Sequence, residues 1–248
     1  MNGTKFRKID DVKISDVVTI WDALAPVRYH EINSGKDRSY TEVLLPLLEE
    51  FCKKASGSTL IDAGCGVGFG SKVAARHFKS VDAIDPSKAS VDLAESKNFS
   101  PNIRYLNSSA ESFSKDHIGY DALISSMVLM DCPDSKGFLQ ACHRLVKPGG
   151  SMIFTLCHPF FWPRYWGFEK YSWFNYGSEV AIKSNFRTSS TGLSKSNTIY
   201  FHRPISTYIS ELTDLGVRSL NIREISGISV KSKVLNRYPR YLTIEVMK

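Results

Sequence analysis

Short apolar runs alternate with segments of helical spacing through the middle of the chain, between residues 59 and 155. A helix that links neighbouring strands of one sheet makes those strands parallel, with right-handed crossovers. The alternation therefore predicts an α/β fold on a parallel sheet. One crossover helix is predicted over 134–145, and a turn then leads to a strand over 151–156.

Segments outside this alternation extend the predicted fold at both ends. Helices are predicted before it over 17–24 and 41–52, because apolar residues recur there at helical spacing. A helix over 205–215 and two strands over 220–225 and 241–246 are predicted after it. The last two strands are expected to join the same sheet.

A glycine-rich turn follows the first strand of the alternation. Residues 60–70 read Leu-Ile-Asp-Ala-Gly-Cys-Gly-Val-Gly-Phe-Gly, and residues 71–78 have helical spacing. Gly64, Gly66 and Gly68 allow the backbone to turn tightly against a ligand. A strand, a glycine turn and a helix in this order are typical of nucleotide binding, although an ordinary loop can have the same composition.

An acidic residue ends the next strand and narrows the choice of ligand. The strand over 81–85 ends in Asp85, twenty-three positions after Asp62. A carboxylate about 20 residues beyond a glycine turn holds ribose hydroxyls in doubly wound sheets. The spacing Gly-x-Gly-x-Gly differs from that of dinucleotide turns, and a charged Asp62 would repel a diphosphate. S-adenosylmethionine carries an ammonium and a sulfonium instead, so this pattern favours it.

At this point the chain resembles the class I S-adenosylmethionine-dependent methyltransferases, from about Trp21 to the C-terminus. The matching segments, in order, are 60–68, Asp85, Ala110-Glu111 after a strand over 103–106, 120–131, and 145–150. His158-Pro159 and the stretch 201–204 are similar to a subgroup that acts on small molecules or natural products.

The resemblance implies a doubly wound, Rossmann-like fold with a seven-stranded, mostly parallel sheet and one antiparallel strand. The length of 248 residues predicts a single domain. Its expected parts are a helical N-terminal lid (1–55), a cofactor-binding core (56–156), an acceptor-binding cover (157–203) and a C-terminal helix with strands (204–248).

The resemblance further implies a cofactor, S-adenosyl-L-methionine, with S-adenosyl-L-homocysteine as product. The residues expected to bind it are Tyr29, Arg38, Asp62, Ala63, Gly64, Cys65, Gly66, Gly68, Asp85, Pro86, Ser87, Ala110, Glu111, Ser126 and Met127. Arg38 is expected to pair with the methionine carboxylate through charge-assisted hydrogen bonds, unless it is an ordinary surface arginine.

An aromatic segment leaves the predicted fifth strand at the edge where open α/β sheets bind ligands. Its ten aromatic residues are Phe160, Phe161, Trp162, Tyr165, Trp166, Phe168, Tyr171, Trp173, Phe174 and Tyr176. They either form the wall of an acceptor pocket or attach a long cover to the sheet. The serine- and threonine-rich stretch over 184–196 is expected to include a mobile loop.

Methyl transfer to oxygen or to a protonated amine needs a general base. Three candidates lie near the expected sheet edge: Asp131, His158 and His202. The two histidines bracket the aromatic segment and are expected to face each other across the pocket. The structural alternatives are that His158 caps a strand and that His202 braces a helix N-terminus.

Composition bounds the remaining choices. A net charge of +7 is spread along the chain without an RNA-binding module, so a solvated basic surface is favoured over nucleic-acid binding. The five cysteines are scattered without metal-ligand spacing, which predicts no metal site and fits a reducing cytoplasm. No segment has the pattern of a signal peptide or of a membrane span.

The sequence therefore predicts a cytoplasmic methyltransferase that acts on nitrogen or oxygen of a small-molecule or natural-product acceptor, a range that includes modified peptides. An RNA or protein methyltransferase is the alternative of the same class. A nucleotide-dependent oxidoreductase and a non-catalytic S-adenosylmethionine-binding module remain as different classes. The oligomeric state is not predicted.

Overall fold

Two β-sheets organise the chain, one of seven strands and one of three. The computed structural model describes residues 6–186, 196–227 and 238–248. The strands in chain order are β1 (Arg7–Ile9), β2 (Thr59–Ala63), β3 (Ser80–Asp85), β4 (Ile103–Asn107), β5 (Tyr120–Ser126), β6 (Val146–Cys157), β7 (Val180–Asn185), β8 (Asn197–His202), β9 (Ser219–Ile225) and β10 (Tyr241–Met247).

Helices connect these strands and cover the larger sheet. In chain order they are α1 (Ile14–Asn33), α2 (Leu45–Lys54), α3 (Phe69–Ala74), α4 (Lys88–Lys97), α5 (Ala110–Phe113), α6 (Ser135–Leu145), α7 (Phe161–Trp166) and α8 (Ile205–Thr213). A π-helical turn, Tyr40–Leu44, leads directly into α2. Two 3₁₀ turns, Leu129–Asp131 and Phe168–Lys170, follow β5 and α7.

The larger sheet has the strand order β4-β3-β2-β5-β6-β10-β9. Strands β2 to β6 are parallel, and β10 runs antiparallel to both of its neighbours. The predicted fold class, with one antiparallel strand among seven, is confirmed. The order reverses between β2 and β5, and ligands bind outside the carboxyl ends of the strands at such a reversal.

The fifth strand of the alternation begins earlier than predicted, because β6 includes the turn expected before residue 151. Tyr120 on β5 pairs with Val146, whereas Ala122 pairs with Ser151, so the register shifts there. Gly149, with φ +79°, lies within the extra residues. The sequence correctly indicated a turn, and the bulge lets hydrogen bonding continue across it.

The smaller sheet, β1-β7-β8, was not predicted. Arg7 pairs with Lys183, and Val180 pairs with His202, so the N-terminus joins two halves of the predicted acceptor cover. Pairing over this separation is set by tertiary packing rather than by local pattern. Most of the expected mobile loop, residues 187–195, lies outside the described residues.

The core lies on both faces of the larger sheet, where its central strands are wholly buried. Leu60, Ile61, Leu123 and Ile124 have no exposed surface. Strands covered on both faces read as continuous apolar runs, as these do. Among the described residues, no helix has both the length and the apolar character needed to cross a membrane.

Candidate active site

The glycine turn after β2 forms one wall of a cavity at the carboxyl ends of the strands. Gly64, Gly66 and Gly68 all have positive φ, at +79°, +51° and +87°. A side chain on Gly64 would overlap Val128, and one on Gly68 would meet the Tyr105 hydroxyl. A side chain on Gly66 would enter open space. The turn is therefore packed from behind and open toward the cavity.

This first cavity brings together most of the residues predicted to bind a cofactor. Those that line it are Gly64, Cys65, Gly66, Gly68, Asp85, Pro86, Ala110, Glu111, Ser126 and Met127. Ser108 and Ser109, which follow β4, also line it. The strand ends β2, β3, β4 and β5 thus contribute to one site, as the parallel sheet requires.

Asp85 connects the glycine turn to the next helix. Its Oδ2 accepts from the Gly66 N–H at 2.9 Å, and its Oδ1 accepts from the Ser87 N–H at 2.8 Å. Burial raises the pKa of Asp85 to about 6, although these two hydrogen bonds oppose the shift. The carboxylate is thus held in place at the cavity wall.

Five residues predicted to bind the cofactor do not line the first cavity, and four of them, Tyr29, Asp62, Ala63 and Ser87, lie behind its wall. Asp62 accepts a hydrogen bond from the Ser71 hydroxyl at 2.6 Å, and burial raises its pKa to about 7. Ser87 caps α4, and its hydroxyl donates to Asp22. Tyr29 packs on Phe69, and Ala63 is wholly buried. These four residues support the cavity wall from behind. Because Asp62 does not face the cavity, its charge cannot be used to argue that a diphosphate would be repelled there.

The prediction for Arg38 is wrong in position. Its guanidinium forms a bidentate pair with Glu42 at 2.6 and 2.9 Å, and its side chain is 49% exposed. It lines neither this cavity nor a second one beneath the aromatic segment. The i,i+4 spacing on an exposed helical turn explains this pairing.

Arg28, which the sequence reasoning missed, lies at the site instead. Its Nη1 donates to Glu31 and to Asp37, both at 2.9 Å. Its guanidinium also lies 5.8 Å from the centre of the Tyr40 ring. A signal was present in the sequence, because α1 places Trp21, Ala25, Arg28 and Ile32 on one stripe that lines the cavity.

A second cavity lies beside the first, beneath the aromatic segment. Of the ten aromatic residues singled out in the sequence, four line it: Trp162, Tyr165, Trp166 and Phe168. Aromatic residues from other parts of the chain also line it: Phe6, Trp21, Tyr40, Phe186, Tyr200 and Tyr241. Trp173 and Phe174 pack against the core and do not line it. Some of these aromatic residues therefore form a cavity wall, whereas others attach the segment to the rest of the protein.

The two cavities meet at residues that line both of them. These shared residues are Trp21, Arg28, Tyr40, Met127 and Asp131. Burial raises the pKa of Asp131 well above its usual range, and the nearby Trp21 indole and Arg28 charge oppose that shift. Asp131 is therefore a half-buried acid-base group at the boundary.

The structure places the two candidate histidines away from both cavities. His158 is buried; its Nδ1 accepts from the Phe160 and Phe161 N–H groups, and its Nε2 donates to Glu224 at 2.9 Å. His202 is also buried, and its Nε2 donates to the Tyr176 carbonyl at 3.0 Å. Burial lowers the pKa of both imidazoles. Both hold the cover in place, so the expectation that they face each other across a pocket is corrected.

Sequence comparison identifies related proteins. Residues 61–154 match the family described as "Methyltransferase domain". The chain is 30% identical over 132 residues to a ubiquinone biosynthesis O-methyltransferase of Methylocella silvestris, which is 52% of each chain. It is 34% identical over 109 residues to the mitochondrial enzyme of that name from Bos taurus, covering 42% of this chain and 30% of the bovine one. The chain thus matches about half of the length of the Methylocella enzyme and about a third of the length of the bovine one.

Solved structures show the same fold at lower identity. The N-methyltransferase NodS of Bradyrhizobium japonicum, in complex with S-adenosyl-L-homocysteine, has a TM-score of 0.57 at 16% identity and covers 84% of this chain and 87% of its own. A 1,6-didemethyltoxoflavin-N1-methyltransferase of Burkholderia thailandensis has a TM-score of 0.62 at 12% identity. The match covers 100% of this chain and 96% of the Burkholderia chain. At these identities the likeness concerns the fold alone.

Proposed function

We propose that this chain, which belongs to the class I S-adenosylmethionine-dependent methyltransferases, moves a methyl group to a nitrogen or oxygen of a small-molecule acceptor. The observation that carries the proposal is the contact of two cavities at Asp131 and Met127. Methyl transfer needs donor and acceptor held in line within about 3 Å, and adjoining sites provide that arrangement. The domain match favours this class over the nucleotide-dependent oxidoreductase considered from sequence.

The first cavity fits the cofactor S-adenosyl-L-methionine. Asp85, which lines this cavity beside Gly66, would accept the ribose hydroxyls. Residues 108–111 would flank the adenine ring. Arg28 would bind the methionine carboxylate, since its ion pairs with Glu31 and Asp37 both use Nη1 and leave the rest of the guanidinium available. S-adenosylmethionine, when bound, supplies a methyl group on a positively charged sulfur.

Asp131 is the group best placed to act as general base. A hydroxyl or ammonium acceptor gives up a proton on methylation, and a carboxylate at the boundary of both cavities can receive it. Burial raises the pKa of Asp131, which makes the carboxylate a stronger base than an exposed one. Trp21 and Arg28 from α1 lie at the same boundary and favour the ionised form of Asp131.

The second cavity would take an acceptor as large as the cofactor. The two cavities have similar volumes. Its aromatic walls suit a flat or apolar molecule, and natural products, including modified peptides, have such groups. The named relatives act in ubiquinone biosynthesis, which agrees with an aromatic acceptor in this proposal.

The direct test is titration of the purified chain with S-adenosylhomocysteine and with NAD in a calorimeter. Micromolar or tighter binding of S-adenosylhomocysteine, without NAD binding, is expected. A mass-spectrometric screen for a 14-dalton gain would then compare aromatic small molecules with RNA and protein. Binding of NAD alone would refute the proposed function, and methylation of RNA or protein alone would favour the alternative acceptor class.

Arg28 and Arg38 form a matched pair of variants. Arg28→Lys keeps a cation for Glu31 and Asp37 but removes the guanidinium fork, so cofactor affinity should fall by about 5–30-fold, or about 1–2 kcal/mol. Arg38→Lys should leave affinity unchanged, because Arg38 lies outside both cavities. Calorimetry with S-adenosylhomocysteine measures both. A loss of affinity in Arg38→Lys alone would reverse the assignment.

Trp166 and Trp173 test the acceptor wall. Trp166 lines the second cavity, so Trp166→Ala should raise the acceptor KM by about tenfold or more, equal to about 1.4 kcal/mol. Trp173 packs against the core outside the cavity, so Trp173→Ala should lower Tm with little change in KM. Steady-state kinetics and thermal melts separate the two effects. Equal loss of cofactor and acceptor binding in Trp166→Ala would show a structural role instead.

A further inference from the structure

Arg240 is a buried cation in the wall of the second cavity that the proposed reaction does not use. It lies just before β10, is 5% exposed, and lines only this cavity. Its guanidinium lies 4.5 Å from the centre of the Tyr165 ring. Its backbone N–H donates to Ile225, and its carbonyl accepts from His158. The residue is therefore fixed at both its backbone and its side chain.

The Arg240 side chain is also confined from its other side. Gly227 packs so closely on the aliphatic part of Arg240 that a side chain on that glycine would overlap it. Gly227 and Tyr165 thus hold the guanidinium in one position. A planar fork held in this way is pre-organised for a carboxylate, which can accept two parallel hydrogen bonds.

No carboxylate of the chain pairs with Arg240. Residues 1–5, 187–195 and 228–237 contain no Asp or Glu, so every acidic side chain falls within the described residues. None of the ion pairs formed by those residues includes Arg240. Arg28, the other cation in this wall, is bound to Glu31 and Asp37. A buried charge without an opposite charge is costly unless a ligand supplies one.

We propose that Arg240 binds an anionic group of the acceptor, and that the acceptor is a flat aromatic carboxylate. This inference rests on the proposed function and names its substrate class. The ring system would pack against Trp162 and Trp166, which line the same cavity. Asp131 would repel a carboxylate, so the anionic end would face Arg240 and the methyl-accepting atom would face Asp131. Arg240 thereby selects both the acceptor and its orientation.

The test compares aromatic acids with their uncharged methyl esters. The full chain is titrated, with and without S-adenosylhomocysteine, with 2-naphthoate, 4-hydroxycinnamate and 3,4-dihydroxycinnamate and with the ester of each. We expect the wild-type protein to prefer an acid over its ester by about tenfold or more, as one well-made charged pair provides. Arg240→Met should reduce that preference to less than about threefold, because it keeps an unbranched apolar stem like that of arginine and removes the guanidinium charge.

The matched control is Arg164→Met. Arg164 also stacks on a tyrosine ring, 5.3 Å from the Tyr238 centre, but it is exposed and lies outside the cavity. This variant should keep the full acid preference. Arg240→Lys retains a cation and should keep part of the preference, which covers the case in which Arg240→Met does not fold. Thermal melts report on folding in each variant.

The outcomes separate the inference from the proposed function. Absence of binding by every acid, equal binding of acids and esters, or an acid preference that survives in folded Arg240→Met would overturn the inference. Each of these can occur while S-adenosylhomocysteine binds normally, which leaves the proposed function standing. Conversely, a wild-type protein that prefers acids but does not bind S-adenosylhomocysteine would contradict the proposed function and keep the anion site.

Discussion

Replacing Asp131 with asparagine should lower kcat by about 10²–10⁴-fold, the usual contribution of a positioned general base. The amide keeps the shape of the side chain but cannot accept the acceptor's proton. Cofactor affinity should change by less than about threefold, because no proton is transferred when the cofactor binds. Steady-state kinetics with an acceptor that the wild-type protein methylates give kcat, and calorimetry gives the cofactor affinity.

The pH profile of the same variant gives a second readout. Burial raises the pKa of Asp131, so wild-type kcat should rise with pH as this carboxyl ionises, and Asp131→Asn should lose that limb. Folding stability changes in the opposite direction. The neutral carboxyl is favoured in the folded protein, so its contribution is complete below the unfolded pKa of about 3.8 and is lost as pH rises through the raised pKa.

The control for Asp131 is Asp134→Asn. Asp134 caps α6 through a 2.8 Å hydrogen bond from the Gly137 N–H, and it lines neither cavity. Asparagine caps helices about as well as aspartate, so kcat and its pH limb should be retained. An unchanged kcat in Asp131→Asn would remove Asp131 from the reaction.

Asp85→Ala should weaken S-adenosylhomocysteine binding by about 1.5–3 kcal/mol, or roughly 10–150-fold, because ribose hydroxyls lose a charged acceptor. Part of this loss reflects the turn itself, since Asp85 also accepts from the Gly66 and Ser87 N–H groups. Asp92→Ala on the exposed face of α4 is the control, because Asp92 pairs only with Lys88 among the described residues. Equal affinities in the two variants would show that Asp85 does not bind the ribose.

Cofactor affinity should also depend on pH through Asp85. Its pKa in the free protein is raised to about 6, and hydroxyl donors favour its ionised form. Affinity is therefore expected to rise between pH 5 and 7 and then to level off, whereas Asp85→Asn should abolish this rise. In the unliganded protein, the stability contributed by neutral Asp85 is complete below about 3.8 and is lost as pH rises through about 6.

The cofactor side of the site could be predicted from sequence because its signals are local. The strand, the three glycines and the acidic end of the next strand lie within residues 59–85. Positive φ at Gly64 and Gly68, together with crowding by Val128 and Tyr105, explains why glycine is needed there. The alternation of strands and helices likewise predicted that the central strands are parallel.

The sequence alone also predicted helix α1, but it gave only part of the helix's length. A helix was predicted over 17–24, and the structure has one from Ile14 to Asn33. Pro26 lies inside that helix, and an internal proline normally argues for a helix end. Packing of the longer helix against the rest of the chain overrides this local preference. Because the prediction stopped early, Arg28 was not identified.

The acceptor side was decided by tertiary structure, because its residues come from distant parts of the chain. The partners of His158 and His202 are Glu224 and Tyr176, which lie 66 and 26 positions away. Composition identified the aromatic segment, but only packing selected which four of its ten rings line the second cavity. Arg240, which lies near the C-terminal end of the chain, lines the same cavity. No periodicity along a chain encodes such contacts, since they depend on how separate elements pack together in space.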